Sequence, residues 1–180
     1  WGFEKSSLTT RWKLLVKENS FLDILSNTSH FDDLSIIEGG SIPLNVVHSY
    51  DAKRETSPRP HFLSDWLDHP SGKVIALIDS STACHGFGRI RPCLLKEGEG
   101  WRIGPLIADD QNLAEILLRC LISSHPGIVL IDSPGLNPFA DNLFTKLGFV
   151  EVSKTIRMYK GYQPPLLMSE VYGLACLELG

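Results

Sequence analysis

Apolar residues fall along this chain at two spacings, and the alternation between them predicts an α/β fold. Near-continuous apolar runs of strand length occupy residues 34–37, 74–79, 101–108 and 127–132, each ending close to Gly or Asp. Of these, the run at 127–132 reads as a buried strand. Helical spacing takes over elsewhere. Phe62, Leu63, Trp66 and Leu67 sit one turn apart, and residues 113–123 are apolar at 113, 114, 116, 117, 118, 120, 121 and 122. A helix so patterned is buried nearly all round. Residues 42–50 form another helical stretch, with Pro43 suited to its first turn, and residues 139–147 a further one. Residues 74–79 and 85–95, joined by Ser80-Ser81-Thr82, read as a hairpin. Residues 150–159 and 171–179 read as two last strands that close the sheet. Residues 27–33 and 51–60 are loops, and residues 21–25 are a short apolar patch in a polar linker. From residue 34 the order is strand, two helices, three strands, helix, strand, helix, two strands. This is an α/β sandwich with a mixed sheet.

The strand at 127–132 leads into Asn137-Pro138-Phe139-Ala140, and the helix that follows ends in Leu147-Gly148-Phe149. This arrangement resembles the signature of the GCN5-related N-acetyltransferases (GNAT). The resemblance covers residues 34–180. It implies a GNAT-like α/β fold: a mixed, mostly antiparallel sheet with a central parallel strand pair, flanked by helices. It implies acetyl-CoA as co-substrate, no metal, and acyl transfer to a primary amine, most simply of a small molecule. The alternative is a non-catalytic domain of this fold that binds CoA or supports a catalytic first domain.

In this family the strand corresponding to 101–108 lines the acetyl group and pantetheine arm. The resemblance therefore assigns Leu106, Ile107 and Ala108 to cofactor binding. The next loop offers its amides and a helix N-terminus to the pyrophosphate, because a helix start exposes unpaired N–H groups and partial positive charge. Here that loop is Asp109-Asp110-Gln111-Asn112-Leu113-Ala114, which makes Asn112, Leu113 and Ala114 candidates. Ala114 matches the family pattern; Asn112 stands for a small Gly and tolerates positive φ better than most residues. Asp109 stands where the family has Arg or Gln. A carboxylate about 4 Å from a phosphate costs roughly 1–4 kcal/mol, unless it points outward or caps the helix. By resemblance Asn137, Ala140 and Phe144 complete the cofactor side. Asn137 is equally suited to cap the helix that Pro138 opens. Phe144 lies four before Gly148, where many members carry a Tyr that protonates the leaving thiolate, and Phe has no proton to give.

Asp132 ends its strand where the parallel pair should splay. It is a candidate base, directly or through water, or a cap for the turn Ser133-Pro134-Gly135. Tyr159 or Tyr172 can stand in for the missing acid, or pack as strand tyrosines do. Arg59, between Pro58 and Pro60, can clamp an acceptor carboxylate bidentately or lie in a solvated loop. Arg91 alternates with Arg89 on one strand face, lining the acceptor groove or forming a wet face.

Composition narrows the partners. The chain has 180 residues, 43% hydrophobic and 21% charged, with net charge −4. That charge argues against a nucleic-acid surface, and no apolar run is long enough to span a membrane. Cys84, Cys93, Cys120 and Cys176 are widely spaced among apolar neighbours. Such spacing fits core residues in a reducing, cytoplasmic setting better than zinc ligands. The first residues carry neither a signal peptide nor an initiator Met, so a fragment is expected. Gly2-Phe3 through Arg11 can be laid on Gly148-Phe149 through Arg157, with Gly, Phe, Ser, Thr and Arg at the same offsets. Residues 1–18 are therefore expected to be the last strands of a preceding acetyltransferase-like domain, 19–33 a linker, and 34–180 the GNAT-like domain.

Overall fold

The apolar runs fold as strands of one sheet with helices on both faces. The computed structural model describes residues 2–18, 33–55, 58–162, 165 and 167–177. The apolar patch at 21–25, nearly all of the expected linker and the end of the expected last strand lie outside the described residues. Strand β1 is Phe3–Val16, β2 is Leu34–Glu38, and helices α1 (Leu44–Asp51) and α2 (Pro60–Asp68) follow. Then come β3 (Lys73–Asp79), β4 (Cys84–Leu95), β5 (Gly98–Ala108), α3 (Gln111–Ile122) and β6 (Gly127–Pro134). Helix α4 (Pro138–Lys146), β7 (Val150–Lys160) and β8 (Val171–Gly173) complete the order.

The sheet runs β2-β3-β4-β5-β6-β1-β7, with β8 paired to β5. Among the described strands only β5 and β6 are parallel, joined at Trp101–Val129, Arg102–Leu130 and Ile103–Ile131. The expected mixed sheet with a central parallel pair is therefore the observed one. Alternation explains why the strands read as continuous apolar runs. On β3, Ile75 and Leu77 join Leu117, Leu121 and Phe144 in the core under α3 and α4. Val74, Ala76 and Ile78 pack instead with Val47, Leu63 and Leu67 of α1 and α2. Each such side chain contributes roughly 1.5–3 kcal/mol by leaving water.

Local chemistry sets the helix ends. The Asp110 carboxylate accepts from the amides of Asn112 and Leu113 and starts α3. Asn137 Oδ1 accepts from the amides of Phe139 and Ala140 and starts α4. Caps of this kind stabilise by about 1 kcal/mol each. Helix α4 stops because Gly148 takes φ +84°, a conformation costly for any residue with a Cβ. The turn lets the Phe149 amide reach the Phe144 carbonyl at 2.9 Å and packs the two rings in a tilted pair, centroids 5.4 Å apart. The Leu-Gly-Phe motif is thus a helix stop fastened to the core.

Two expectations change, and the strand at the start of the chain takes its place in the sheet. Pro43 is the residue before α1 rather than within its first turn. Residues 3–16 form one long strand inside this sheet, between β6 and β7. The strand expected at 171–179 is three residues long and does not close the sheet: it enters the splay between β5 and β6.

Candidate active site

Past Ile103 the parallel pair separates, and β8 lies in the gap. Leu106 pairs with Gly173 and Ile107 with Val171. On the other side the Leu174 amide donates to the Asp132 carbonyl at 2.9 Å. Asn137, already capping α4, donates its Nδ2–H to the Val171 carbonyl at 3.0 Å. Small residues make this approach possible. A Cβ on Gly104 would meet the Leu174 carbonyl oxygen at 2.0 Å, and one on Gly173 would meet Ile131 at 2.9 Å. Tyr172 is 1% exposed and belongs to the main core. Burial pushes its phenol up to about 12, with Asp110 and Glu170 adding to the effect.

Asp132 sits at the head of the splay, 2% exposed. Arg11 reaches it with Nε at 2.7 Å and Nη2 at 3.0 Å, and Arg102 with Nη2 at 2.5 Å. Both carboxylate oxygens are therefore held by guanidinium groups, one from β1 and one from β5. A base so engaged must break charged hydrogen bonds before it can take a proton.

The loop after β5 is also internally satisfied. Asp110 occupies two amides of the α3 start. Asp109 turns away from them. Its Oδ1 accepts from Tyr50 Oη at 2.7 Å and Arg54 Nη2 at 2.8 Å, and its Oδ2 lies 2.9 Å from His85 Nδ1. The other ring nitrogen of His85 lies 2.9 Å from Asp79. Asp79 first, and then Asp109, raise the imidazole's proton affinity against its partial burial. Arg54 also pairs with Glu170, just before β8, and so ties that segment to Asp109.

A sequence model of the acetyltransferase (GNAT) domain matches residues 47–173. The chain belongs to this family. It is 31% identical to the holothin acyltransferase of Pseudoalteromonas sp. (strain SANK 73390) over 139 residues, 76% of this chain and 46% of that protein. Its fold is similar to that of a protein from Pyrococcus horikoshii proposed to be an acetyltransferase, with TM-score 0.72, 21% identity, and coverage of 99% of this chain and 53% of that one. A GCN5-related N-acetyltransferase from Anabaena variabilis ATCC 29413 shares the fold at TM-score 0.53 and 12% identity, covering 87% and 41%. The chain thus spans about half the length of the relatives it matches.

GNAT acetyltransferases generally use acetyl-CoA, and the residues here can be tested against it. The backbone of Leu106 and Ile107 is paired to β8, Asn137 bonds Val171, and the α3 start is capped by Asp110. The splay as folded does not fit a pantetheine arm. Leu106, Ile107, Ala108, Leu113, Ala114, Ala140 and Phe144 are buried core residues; of the loop candidates only Asn112 is exposed. Phe144 packs against Trp12, with ring centroids 5.8 Å apart.

The remaining candidates stand apart. Arg59 does grip a carboxylate bidentately, but that carboxylate is Asp51 of its own domain, at 2.9 and 2.8 Å, with Glu55 at 2.8 Å. Burial raises the Glu55 carboxyl to about 7; Arg59 opposes this and Asp51 adds to it. Arg91 stacks 4.8 Å from the Trp66 ring, with Arg89 at 5.3 Å. Arg89 is 2% exposed, so this pair is not the wet face the strand pattern allowed. Trp66 in turn donates to the Gly104 carbonyl at 3.1 Å. Tyr159 lies on β7, two strands beyond β6, with Arg157 at 5.3 Å from its ring, and is not brought to the splay.

The ion-pairing roles of Arg11, Arg54, Arg102 and His85 have little signal in the sequence. The available signal was the four-residue spacing of Tyr50, in the last turn of α1, and Arg54, in the turn just after it; the others meet their carboxylates only through the fold. Among the described residues no His, Cys, Asp and Glu group is arranged to hold a metal, and no helix is long and apolar enough to cross a membrane.

Proposed function

We propose that the protein is an acyl-CoA-dependent N-acyltransferase acting on the primary amine of a small molecule, with acetyl-CoA its simplest donor, and that the region described here is its supporting half. The family match and the likeness to a holothin acyltransferase support acyl transfer by the whole polypeptide. The four free cysteines fit a reducing cytoplasm. One observation carries the assignment of this half: β8 pairs with the same stretch of β5 that family members offer to the cofactor. Asp132 then acts as an ion-paired anchor for β1 and β5 rather than as a base.

A second reading has β8 as a displaceable occupant. It is favoured by the brevity of the pairing, two ladder positions. In that reading this half is itself catalytic once the segment leaves.

Release of CoA thiol by the full-length protein, with acetyl-CoA and a panel of primary amines, distinguishes the two. Asn112→Glu places a new carboxylate on the exposed start of α3. If this half only supports, KM for acetyl-CoA stays within twofold of the parent. A rise of tenfold or more would show that the cofactor binds here.

A further inference from the structure

Strands β1 and β7 are related by more than adjacency. Laid 146 residues apart, Gly2 on Gly148, they share Gly2/Gly148, Phe3/Phe149, Ser7/Ser153, Thr9/Thr155 and Arg11/Arg157. Their ladder has the same symmetry. Thr9 pairs with Thr155, its own counterpart. On either side the pairs exchange: Ser7–Arg157 with Arg11–Ser153, Leu8–Ile156 with Thr10–Lys154, and Lys5–Met158 with Trp12–Glu151. The two positions skipped by the ladder, Ser6 on β1 and Val152 on β7, are counterparts as well. A pairing that maps onto itself when its strands are exchanged has a local two-fold axis, here through Thr9 and Thr155.

The surroundings break that symmetry. The outer edge of β1 is covered by β6, from Thr9–Pro134 to Val16–Gly127. The counterpart edge of β7, residues 155–162, carries no strand among the described residues. Thr10, Trp12 and Val16 are buried, whereas their counterparts Ile156, Met158 and Tyr162 are 53%, 50% and 82% exposed. Open strand edges bearing apolar side chains are normally covered in native proteins.

We propose that the outer edge of β7 pairs antiparallel with the β6-equivalent strand of a second acetyltransferase-fold unit in the same polypeptide. Each unit then lends its Gly-Phe strand to the other's sheet, and β1 is the strand lent here. The symmetry fixes the register: Thr155 lies opposite the second unit's equivalent of Pro134. The relatives, about twice as long as this chain, have room for such a unit. A second copy of this chain fits less well, because the edge of its β6 is already taken by its own β1. The proposal rests on the reading of this region as a supporting half only for the nature of its partner.

Amide hydrogen exchange on the full-length polypeptide and on the 180-residue chain tests it. Residues 155–162 are expected to exchange at least a hundredfold more slowly in the full-length protein. Ile156→Lys with Met158→Lys should restore fast exchange there and leave β3 and α3 as protected as before. Equal exchange in both proteins, or a full-length polypeptide without a second unit, would overturn the proposal. So would protection in the 180-residue chain that grows with its own concentration, which would make a second copy the occupant. Acyl-CoA binding in the β5–β6 splay would defeat the supporting-half reading and leave this result untouched.

Discussion

The splay between β5 and β6 and the outer edge of β7 both offer backbone that the main ladder leaves unpaired. The chain treats them in opposite ways. At the splay, β8 supplies partners on both sides and buries Tyr172 among core residues. At the edge, Ile156 and Met158 stand half exposed on a strand whose outer side carries no partner among the described residues. The first, where family members bind their cofactor, is filled here by β8; the second carries no strand among the described residues.

Removing the filler at the splay should have the largest effect. Tyr172→Ala deletes a fully buried aromatic, and about 3–4 kcal/mol should be lost by urea unfolding. A loss under about 1 kcal/mol would mean that β8 leaves the splay in solution, and the contrast with the edge would vanish.

Asp132 joins the two regions. Its carbonyl receives the Leu174 amide, and its carboxylate receives Arg11 of β1. Asp132→Asn should cost about 2–3 kcal/mol, below the usual cost of breaking a buried pair because both arginines keep some contact with water. Loss of activity in the full-length protein without loss of stability would instead mark Asp132 as a base.

A smaller, pH-dependent effect comes from side chains at the margins of both regions, Glu55 within electrostatic reach of Arg157 on β7 and His85 linked through Asp109 and Arg54 to Glu170. The Glu55 carboxyl, raised from about 4.5 to about 7, binds its proton more tightly folded than unfolded. Stability should therefore fall as pH rises from about 4.5 through 7, and Glu55→Gln should flatten that slope. His85, also raised, contributes stability that is full below about 6.5 and is lost as pH rises through its folded value. Melting temperatures across this range read both; an unchanged slope in Glu55→Gln would place that carboxyl in water.

Much of the fold was legible because it rests on periodicity. The buried runs at 74–79 and 127–132 and the helix at 113–123 are close to the observed β3, β6 and α3. The Gly148 stop and the Asn137 cap are local chemistry, and they could be read locally. The site was less legible because its decisive contacts are distant in sequence. Nothing near Asp109 announces that Arg54 and Tyr50 will turn its carboxylate away from the α3 start. Residues 171–179 carry a strand pattern, but pattern alone does not say which edge a strand will join. Only the glycines at 104 and 173, read in three dimensions, show that β8 fits between β5 and β6.

A calorimetric titration of the 180-residue chain with acetyl-CoA shows whether β8 keeps the cleft between β5 and β6 closed. No saturable heat is expected up to millimolar acetyl-CoA. Saturable binding in the micromolar range, with faster exchange at Val171–Gly173 as the ligand enters, would contradict it.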